Sequence, residues 1–215
     1  MGTVVGIFFS SMAAYVLQRK EFRPRTFFSV FFYFTTIFNG GIVPWYILMI
    51  RYFNMKNNIM ALILPNLFNV FYIIIIRSFI SNSIPDSITE SAKIDGASET
   101  RIFFQICLPL SLPGIATITL FTALAYWNDW FNALLYIRSD NLVPLQYLLI
   151  KIQQNLDYLS KSVGASAQLA GLTNSFPKES ARMAMVVLAT VPIACVYPFF
   201  QRYFVKGLTI GGVKE

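Results

Sequence analysis

Long apolar stretches separated by short charged ones dominate the chain. Uncharged runs cover residues 1–18, 26–50, 57–76, 102–128 and 183–201. A helix that crosses a bilayer needs about 20 mostly apolar residues. The first run lacks the basic start and the small-residue cleavage site of a signal peptide, so we interpret it as a span. The pattern predicts an all-α, polytopic transmembrane helical bundle in a lipid bilayer, with five spans visible.

Composition and charge agree with this class. Of the 215 residues, 56% are hydrophobic and 13% are charged, outside the usual range of soluble proteins. The net charge of +7 comes from basic residues at the span ends, so we expect no binding of nucleic acid. The positive-inside rule places basic loops in the cytoplasm, which predicts a cell-membrane protein with a cytoplasmic C-terminus. Because residue 1 then lies outside, we expect either a missing upstream span or a five-span protein.

Residues 138–182 form a long extracytoplasmic segment in this orientation. Its apolar residues recur at helical spacing and predict an amphipathic helix that is too polar to span. These residues are Leu145, Leu148, Leu149, Ile152, Leu156 and Leu159. Two interpretations stay open, a helix lying flat on the bilayer or a platform for an extracytoplasmic partner. Residues 162–175, rich in Gly, Ala and Ser, predict a flexible loop.

Glycine and proline interrupt the apolar runs at several places. Asn39-Gly40-Gly41 and Pro44 fall inside the second run and predict a broken helix. The break is either a tolerated kink or a backbone opening along a transport route, since irregular backbone at membrane depth needs protein or water beside it. Pro65, Pro192 and Pro198 predict further kinks. Gly2 and Gly6 match the spacing of small residues at close helix contacts, which is weak support from a single pair.

Residues 83–109 form a polar segment between two apolar runs, and their order predicts a folded docking element. Ser83 and Pro85 predict the start of a first helix, and Asp95-Gly96 predicts its end. Ser98 is placed to cap a second short helix that reaches Cys107. A loop that only connects two spans needs none of this order. The segment is therefore predicted to be a helix-turn-helix that a partner approaches closely.

The motif Glu90-Ser91-Ala92, Gly96, Ile106 and Leu108-Pro109 resembles the EAA loop of ATP-binding-cassette importer permeases. Ser91 replaces the alanine that is usual in this motif. The resemblance covers nearly the whole chain, and residues 126–131 and 207–215 resemble the maltose-type carbohydrate permease branch. Residues 40–49, 180–185 and 198–215 are most similar to the subgroup handling oligosaccharides or polysaccharide fragments.

The resemblance implies a type I importer permease fold, usually with six spans, that moves a carbohydrate inward. It implies a second homologous permease, two ATPase subunits and an extracytoplasmic solute-binding protein as partners. Because the chain has no GxxxxGK[ST] loop, we expect no cofactor on it, with ATP and magnesium on the ATPase. The residues expected to couple to the ATPase are Glu90, Ser91, Ala92, Asp95, Gly96, Ala97, Ser98 and Pro109. The tail, residues 205–215, is either a disordered end or a contact to the ATPases.

Asp129 lies at the end of the fourth apolar run, where an ionisable group is costly unless it faces a cavity or a partner. Nearby aromatic side chains are suited to stack on sugar rings, and nearby amides to bind hydroxyl groups. The alternative is an interfacial aromatic belt with Asp129 in water. The candidate substrate path comprises Tyr126, Trp127, Asn128, Asp129, Asn132, Gly40 and Gly41.

Two other functional classes fit the sequence less well. An ion-coupled secondary transporter of a small polar solute needs ionisable residues deep in its spans, and Asp129 alone qualifies. An intramembrane enzyme needs a nucleophile with a base, or metal ligands. The chain has no histidine, and its two cysteines lack metal-like spacing, so we expect neither a catalytic nor a metal site.

Overall fold

The computed structural model describes the backbone of residues 1–163 and 178–211, and the side chains of residues 1–158 and 179–201. Every regular element in these ranges is helical. The α-helices are α1 (Gly2–Gln18), α2 (Arg25–Ile37), α3 (Ile42–Ile47), α4 (Met60–Ile63), α5 (Val70–Ser83), α6 (Asp86–Ile94), α7 (Glu99–Ile102), α8 (Leu108–Leu110), α9 (Leu112–Trp127), α10 (Phe131–Tyr136), α11 (Leu145–Val163) and α12 (Lys178–Gly211). The predicted all-helical class is confirmed.

Most of the apolar runs are broken helices. By length and composition, Glu179–Gln201 is the single unbroken stretch in the described ranges that is long enough to cross a membrane. Pro192 and Pro198 lie inside this helix, which is not broken at either of these predicted kinks. Three further candidates are helix pairs with a sharp bend, and α1 is a shorter apolar helix. If each bent pair counts as one span, up to four spans of this kind are present.

The first bend lies where the glycines predicted it. The pair Arg25–Ile37 and Ile42–Tyr52 bends by 111° at Asn39-Gly40-Gly41. Gly41 has a φ of +85°, a conformation that a side chain disfavours. The predicted broken helix is therefore confirmed.

Proline chemistry accounts for the second bend. Pro65 lies in the 3-10 turn Leu64–Asn66 that follows α4. Asn69 then starts α5, with its side-chain oxygen accepting a hydrogen bond from the Phe71 amide at 3.0 Å. The pair Met60–Asn66 and Val70–Ser83 bends by 51°, which agrees with the kink predicted at Pro65.

The predicted continuous span over residues 102–128 is wrong. Glu99–Leu110 and Leu112–Trp127 are separate helices that meet at 79° beside Ser111. Pro109 and Pro113 flank this bend, and neither has an amide hydrogen to continue the helical ladder. Two prolines four residues apart were visible in the sequence, but the unbroken hydropathy outweighed them.

α1 is the central helix of the main core. Its buried residues Ala14, Tyr15 and Leu17 pack with isoleucines of α5 and α9, among them Ile73 and Ile118. Gly2 and Gly6 lie where other segments approach closely. A Cβ atom at Gly6 would lie 2.9 Å from the Leu67 carbonyl oxygen, and one at Gly2 would lie 2.6 Å from the Tyr126 ring. The close contacts agree with the spacing of this pair of small residues, which by itself was weak support.

The predicted amphipathic helix is α11, which begins at Leu145 and ends at Val163. Leu149 and Leu156 are buried, while Leu148 remains largely exposed. An ion pair of 2.7 Å between Arg182 and Asp157 joins α11 to α12. Of the predicted loop and tail, residues 164–175 and 212–215 lie outside the described residues, and the backbone of residues 205–211 continues α12.

Candidate functional site

The segment 83–109, called here the coupling segment, folds as a helix-turn-helix. α6 begins at Asp86 after Pro85, and its backbone turns at Asp95. Gly96 follows with a φ of +78°, in the left-handed region. The Ser98 hydroxyl then accepts a hydrogen bond from the Arg101 amide at 3.3 Å and caps α7. The predicted cap at Ser98 is confirmed.

Ser83 differs from its prediction. It is the last residue of α5, and the chain runs extended through Ile84 before Pro85 starts the next helix. Pro85 itself occupies the N-cap position, with a ψ of 142°, and Asp86 is the first residue of α6. The second short helix does reach Cys107, as a π-helical turn over Phe103–Cys107.

The structure separates the predicted coupling residues into an outer and an inner set. Ala92 and Ala97 pack against the core, and the Ala97 amide donates to the Ala92 carbonyl at 2.9 Å, which closes the turn. The small size of these two residues therefore serves the turn itself. The exposed members are Glu90, Ser91, Asp95, Gly96, Ser98 and Pro109.

Ile94 is a surface residue that the sequence analysis missed. It ends α6 beside the turn, and 87% of its surface is exposed. Helical spacing from Ile84 and Ile88 does not single it out, since an apolar residue in an amphipathic helix is normally assigned to the buried face. An apolar side chain this exposed, next to Asp95 and Gly96, adds a hydrophobic contact point to the outer set.

Ion pairs hold α6 at both ends against the segment that follows α1. Near its start, Asp86 lies 2.6 Å from the Lys20 Nζ, and this hydrogen bond lowers the pKa of Asp86. Near its end, Lys93 pairs with Glu21 and, at 2.8 Å, with Glu99. These hydrogen bonds, to Glu21 first and then to Glu99, raise the pKa of Lys93. The coupling segment therefore has charged contacts to its own chain near both ends of α6, of which the contacts of Lys93 are the less exposed.

Glu99 is the most connected carboxylate of this group. Partial burial favours a higher pKa, but hydrogen bonds from Lys93 and Tyr15 and the positive charge of Arg19 together lower the pKa of Glu99. The side chain is therefore ionised at neutral pH. Its position at the start of α7 also suits a negative charge.

The second candidate region is a polar cluster around Asp129, between α9 and α10. One Asp129 carboxylate oxygen accepts hydrogen bonds from the side-chain amides of Asn66 and Asn132, each at 2.8 Å. The other oxygen accepts from the Asn132 backbone amide at 3.2 Å. Asn66 lies in the 3-10 turn before the second bend, so Asp129 joins two helix breaks. The sequence analysis missed Asn66 because a lone asparagine in an apolar run carries no spacing signal.

The neighbouring aromatic residues also use their polar atoms within the chain. The Tyr126 hydroxyl donates to the Ile63 carbonyl at 2.8 Å. In an α-helix the Leu67 amide would donate to this carbonyl, but in the 3-10 turn it donates to the Leu64 carbonyl instead. The Trp127 indole donates to the Ala189 carbonyl in α12 at 3.2 Å. Tyr126 and Trp127 are thus bound to other helices, whereas Asn128 is exposed to solvent.

Gly40 and Gly41 line a separate cavity of about 680 Å³ at the first bend. Aromatic side chains, including Phe38, Trp45 and Phe68, form much of its wall. Neither Asp129 nor the residues around it belong to this lining. The residues predicted to form one substrate path therefore lie in two places, an open cavity and a hydrogen-bonded cluster. The two places are close in sequence, because Phe68 of the cavity wall is two residues from Asn66 of the cluster.

Comparison with known proteins adds to this geometry. The profile of the family described as "Binding-protein-dependent transport system inner membrane component" matches residues 6–210. The chain is 41% identical over 214 residues to the polygalacturonan/rhamnogalacturonan transport system permease protein YtcP of Bacillus subtilis, covering 100% of this chain and 73% of that protein. It is 30% identical over 217 residues to the arabinooligosaccharides transport system permease protein AraQ of Halalkalibacterium halodurans, covering 98% of this chain and 69% of that protein.

A solved structure agrees with these relatives. The crystal structure of a bacterial ABC transporter involved in the import of the acidic polysaccharide alginate matches with a TM-score of 0.80 and 34% sequence identity. The match covers 94% of this chain and 70% of that chain. The chain therefore belongs to the family of inner membrane components of binding-protein-dependent transport systems, and it is the permease rather than the ATPase of such a system.

Proposed function

We propose that this permease moves an oligosaccharide into the cytoplasm and that ATP hydrolysis on a partner subunit drives the movement. The relatives named for transport of polygalacturonan, rhamnogalacturonan and arabinooligosaccharides support a carbohydrate substrate. The alginate importer is a further example with a polymeric sugar. Oligosaccharides or polysaccharides are named for all of these proteins.

The exposed turn of the coupling segment is the observation that carries this proposal. It combines the uncovered Ile94 with the carboxylates of Glu90 and Asp95 and with the left-handed Gly96. An apolar side chain surrounded by polar groups is typical of a protein contact. In our proposal the turn inserts into a cleft of the ATPase, and closure of the ATPase on ATP moves it as a rigid body.

The partners follow from the same arrangement. ATPase and binding-protein partners are general to the family, and we propose two ATPase subunits and a second, homologous permease here. The described residues of α2 include no buried side chain, and α12 exposes Met183, Val186 and Val187. Such apolar faces require lipid or another membrane protein. A second permease on part of this surface would complete the transport route.

The topology supports the proposed orientation. If the coupling segment lies in the cytoplasm, α9 leads outward, α11 lies outside, and α12 returns to the cytoplasm. The C-terminus is then cytoplasmic. ATP and magnesium are bound by the ATPase in this proposal, and this chain holds no cofactor.

The test is uptake by the complete importer in proteoliposomes, with ATP enclosed. The substrate panel consists of galacturonan, rhamnogalacturonan, arabinan and alginate oligosaccharides, with the binding protein added outside. We expect uptake that requires ATP and that an ionophore leaves unchanged. Uptake that needs an ion gradient instead would support the ion-coupled alternative and refute the proposal.

Two variants test the docking turn directly. Gly96→Arg and Glu90→Lys should reach the membrane normally but lose uptake, because a bulky or reversed charge blocks the contact with the ATPase. Lys56→Gln, at an exposed side chain outside the coupling segment, is the control. Full uptake by both variants would contradict the assignment of this turn.

A further inference from the structure

We propose that Glu99 is the positioning residue that transmits movement of the coupling segment to α1, through a cluster formed with Tyr15, Arg19 and Lys93. We call these four residues the Glu99 cluster. The inference rests on the proposed function, because it concerns how the movement of the docking turn reaches the membrane helices. It goes further by naming a second route into the core besides the covalent chain.

The geometry of the Glu99 cluster joins α1, α6 and α7. The Tyr15 hydroxyl donates to Glu99 Oε2 at 2.5 Å, and Arg19 Nη2 donates to the Tyr15 oxygen at 2.5 Å. Arg19 Nε lies 3.3 Å from the same Glu99 oxygen. Lys93 Nζ lies 2.8 Å from the other oxygen, Oε1. Both carboxylate oxygens are therefore engaged, one toward α1 and one toward α6.

The side of this cluster that belongs to α1 is more buried than an ordinary surface ion pair. Tyr15 is only 5% exposed and the Arg19 side chain 16%, while Lys93 is 29% and Glu99 itself 49% exposed. Charges that are shielded from water interact more strongly and are screened less by salt. The nearby pair of Lys20 and Asp86 is 75% and 52% exposed, in the range where ion pairs contribute little. The two sets lie on neighbouring residues, so they provide a matched comparison.

The covalent routes out of α6 both pass through joints. On one side the chain runs extended through Ile84, and on the other it passes the turn at Gly96 and the 79° bend beside Ser111. A bent joint absorbs rotation, whereas a packed contact transmits it. The Glu99 cluster crosses directly from the coupling segment to α1 and bypasses the bend beside Ser111.

α1 is well placed to distribute this movement. The Tyr15 ring packs on Phe103 with ring centroids 5.3 Å apart. Next to it, Ala14 and Leu17 belong to the core shared with α5 and α9. A displacement of Glu99 is therefore applied to the central helix of the main core.

The test compares Glu99→Gln and Tyr15→Phe with Lys20→Gln in the reconstituted complete importer. Uptake and ATP hydrolysis are measured on the same proteoliposomes, and the recovery of the ATPase with the permease is recorded. We expect Glu99→Gln to keep the ATPase bound and hydrolysis near normal, while uptake per ATP falls about tenfold, a typical coupling effect. Tyr15→Phe removes the hydrogen bond donated to Glu99 and the one accepted from Arg19, but it keeps the ring and the Glu99 charge, so the fall should be smaller. Lys20→Gln should match the wild type.

Amide hydrogen exchange of the complete importer gives a readout that does not depend on transport. In Glu99→Gln, exchange across residues 86–94 should be faster than in the wild type, and in Lys20→Gln it should be unchanged. Unchanged exchange and unchanged uptake per ATP in Glu99→Gln would overturn the inference, and so would loss of the ATPase together with uptake. If the wild type itself showed no ATP-dependent uptake, the proposed function would fail, while the exchange result would still judge the Glu99 cluster.

Discussion

Gly6→Ala is the substitution whose effect the structure defines most closely. The added Cβ would lie 2.9 Å from the Leu67 carbonyl oxygen, a backbone atom, and 3.7 Å from its carbon. A backbone atom cannot turn away as a side chain can, so α1 must shift from the second helix break. Insertion of one methyl group into a tightly packed contact costs about 1–3 kcal/mol. For a chain of this length, that corresponds to a loss of about 2–12 °C in melting temperature.

The assay is thermal unfolding of the purified permease complex in one detergent, monitored by the loss of the monodisperse peak on size exclusion. Gly40→Ala is the matched control, because a Cβ at Gly40 has no neighbour within 4 Å. It adds the same methyl group without a contact and should melt like the wild type. Equal melting of both variants and the wild type would show that α1 is not held against Leu67 as described.

Three further outcomes follow from the sites. Gly96→Ala places a side chain at a φ of +78°, at a cost of about 1–2 kcal/mol. Asparagine tolerates this conformation better than alanine, so Gly96→Ala should reduce ATP-dependent uptake more than Gly96→Asn does. Asn66→Ala removes the hydrogen bond of 2.8 Å that the Asn66 amide donates to Asp129, so the melting temperature of the complex should fall by an amount equivalent to about 1–3 kcal/mol. In a double-mutant cycle, Asn66→Ala should have much less effect when Asp129→Asn is already present. Because the pKa of Glu99 is lowered, its ion pairs stabilise the fold fully above about pH 4.3 and are lost as the pH falls through the lower folded value. The difference in melting temperature between wild type and Glu99→Gln should therefore be present at pH 7 and disappear in acid, and a difference that persists there would contradict the assignment.

The coupling segment was predictable because its signals are local. A left-handed glycine, a serine cap and a proline at a helix start each act within one turn of backbone, so their order specifies the helix-turn-helix without tertiary information. The small pair Gly2 and Gly6 has the spacing of a face for close contact, but a single match is weak support, and the close approach became clear only from the structure. The partner of that face, Leu67, was not predictable.

The parts that sequence reasoning missed depend on long-range contacts. Asn66 lies 63 positions from Asp129, and Tyr15 lies 84 positions from Glu99. No periodicity relates such pairs, so neither hydrogen bond follows from the pattern. The bend beside Ser111 was missed for a different reason. Hydropathy averages over a window and is insensitive to two missing amide hydrogens at Pro109 and Pro113.

The ion pairs between residues 19–21 and the coupling segment have a consequence for protein engineering. A common way to redirect a permease to another ATPase is to exchange the docking loop as a cassette. Here Lys93 and Glu99 reach outside such a cassette, to Glu21 and Arg19 at the end of α1. A foreign loop would leave these charges without their partners. A working chimera therefore needs two grafts, one covering residues 83–109 and the other residues 15–21, so the unit of exchange is discontinuous in sequence.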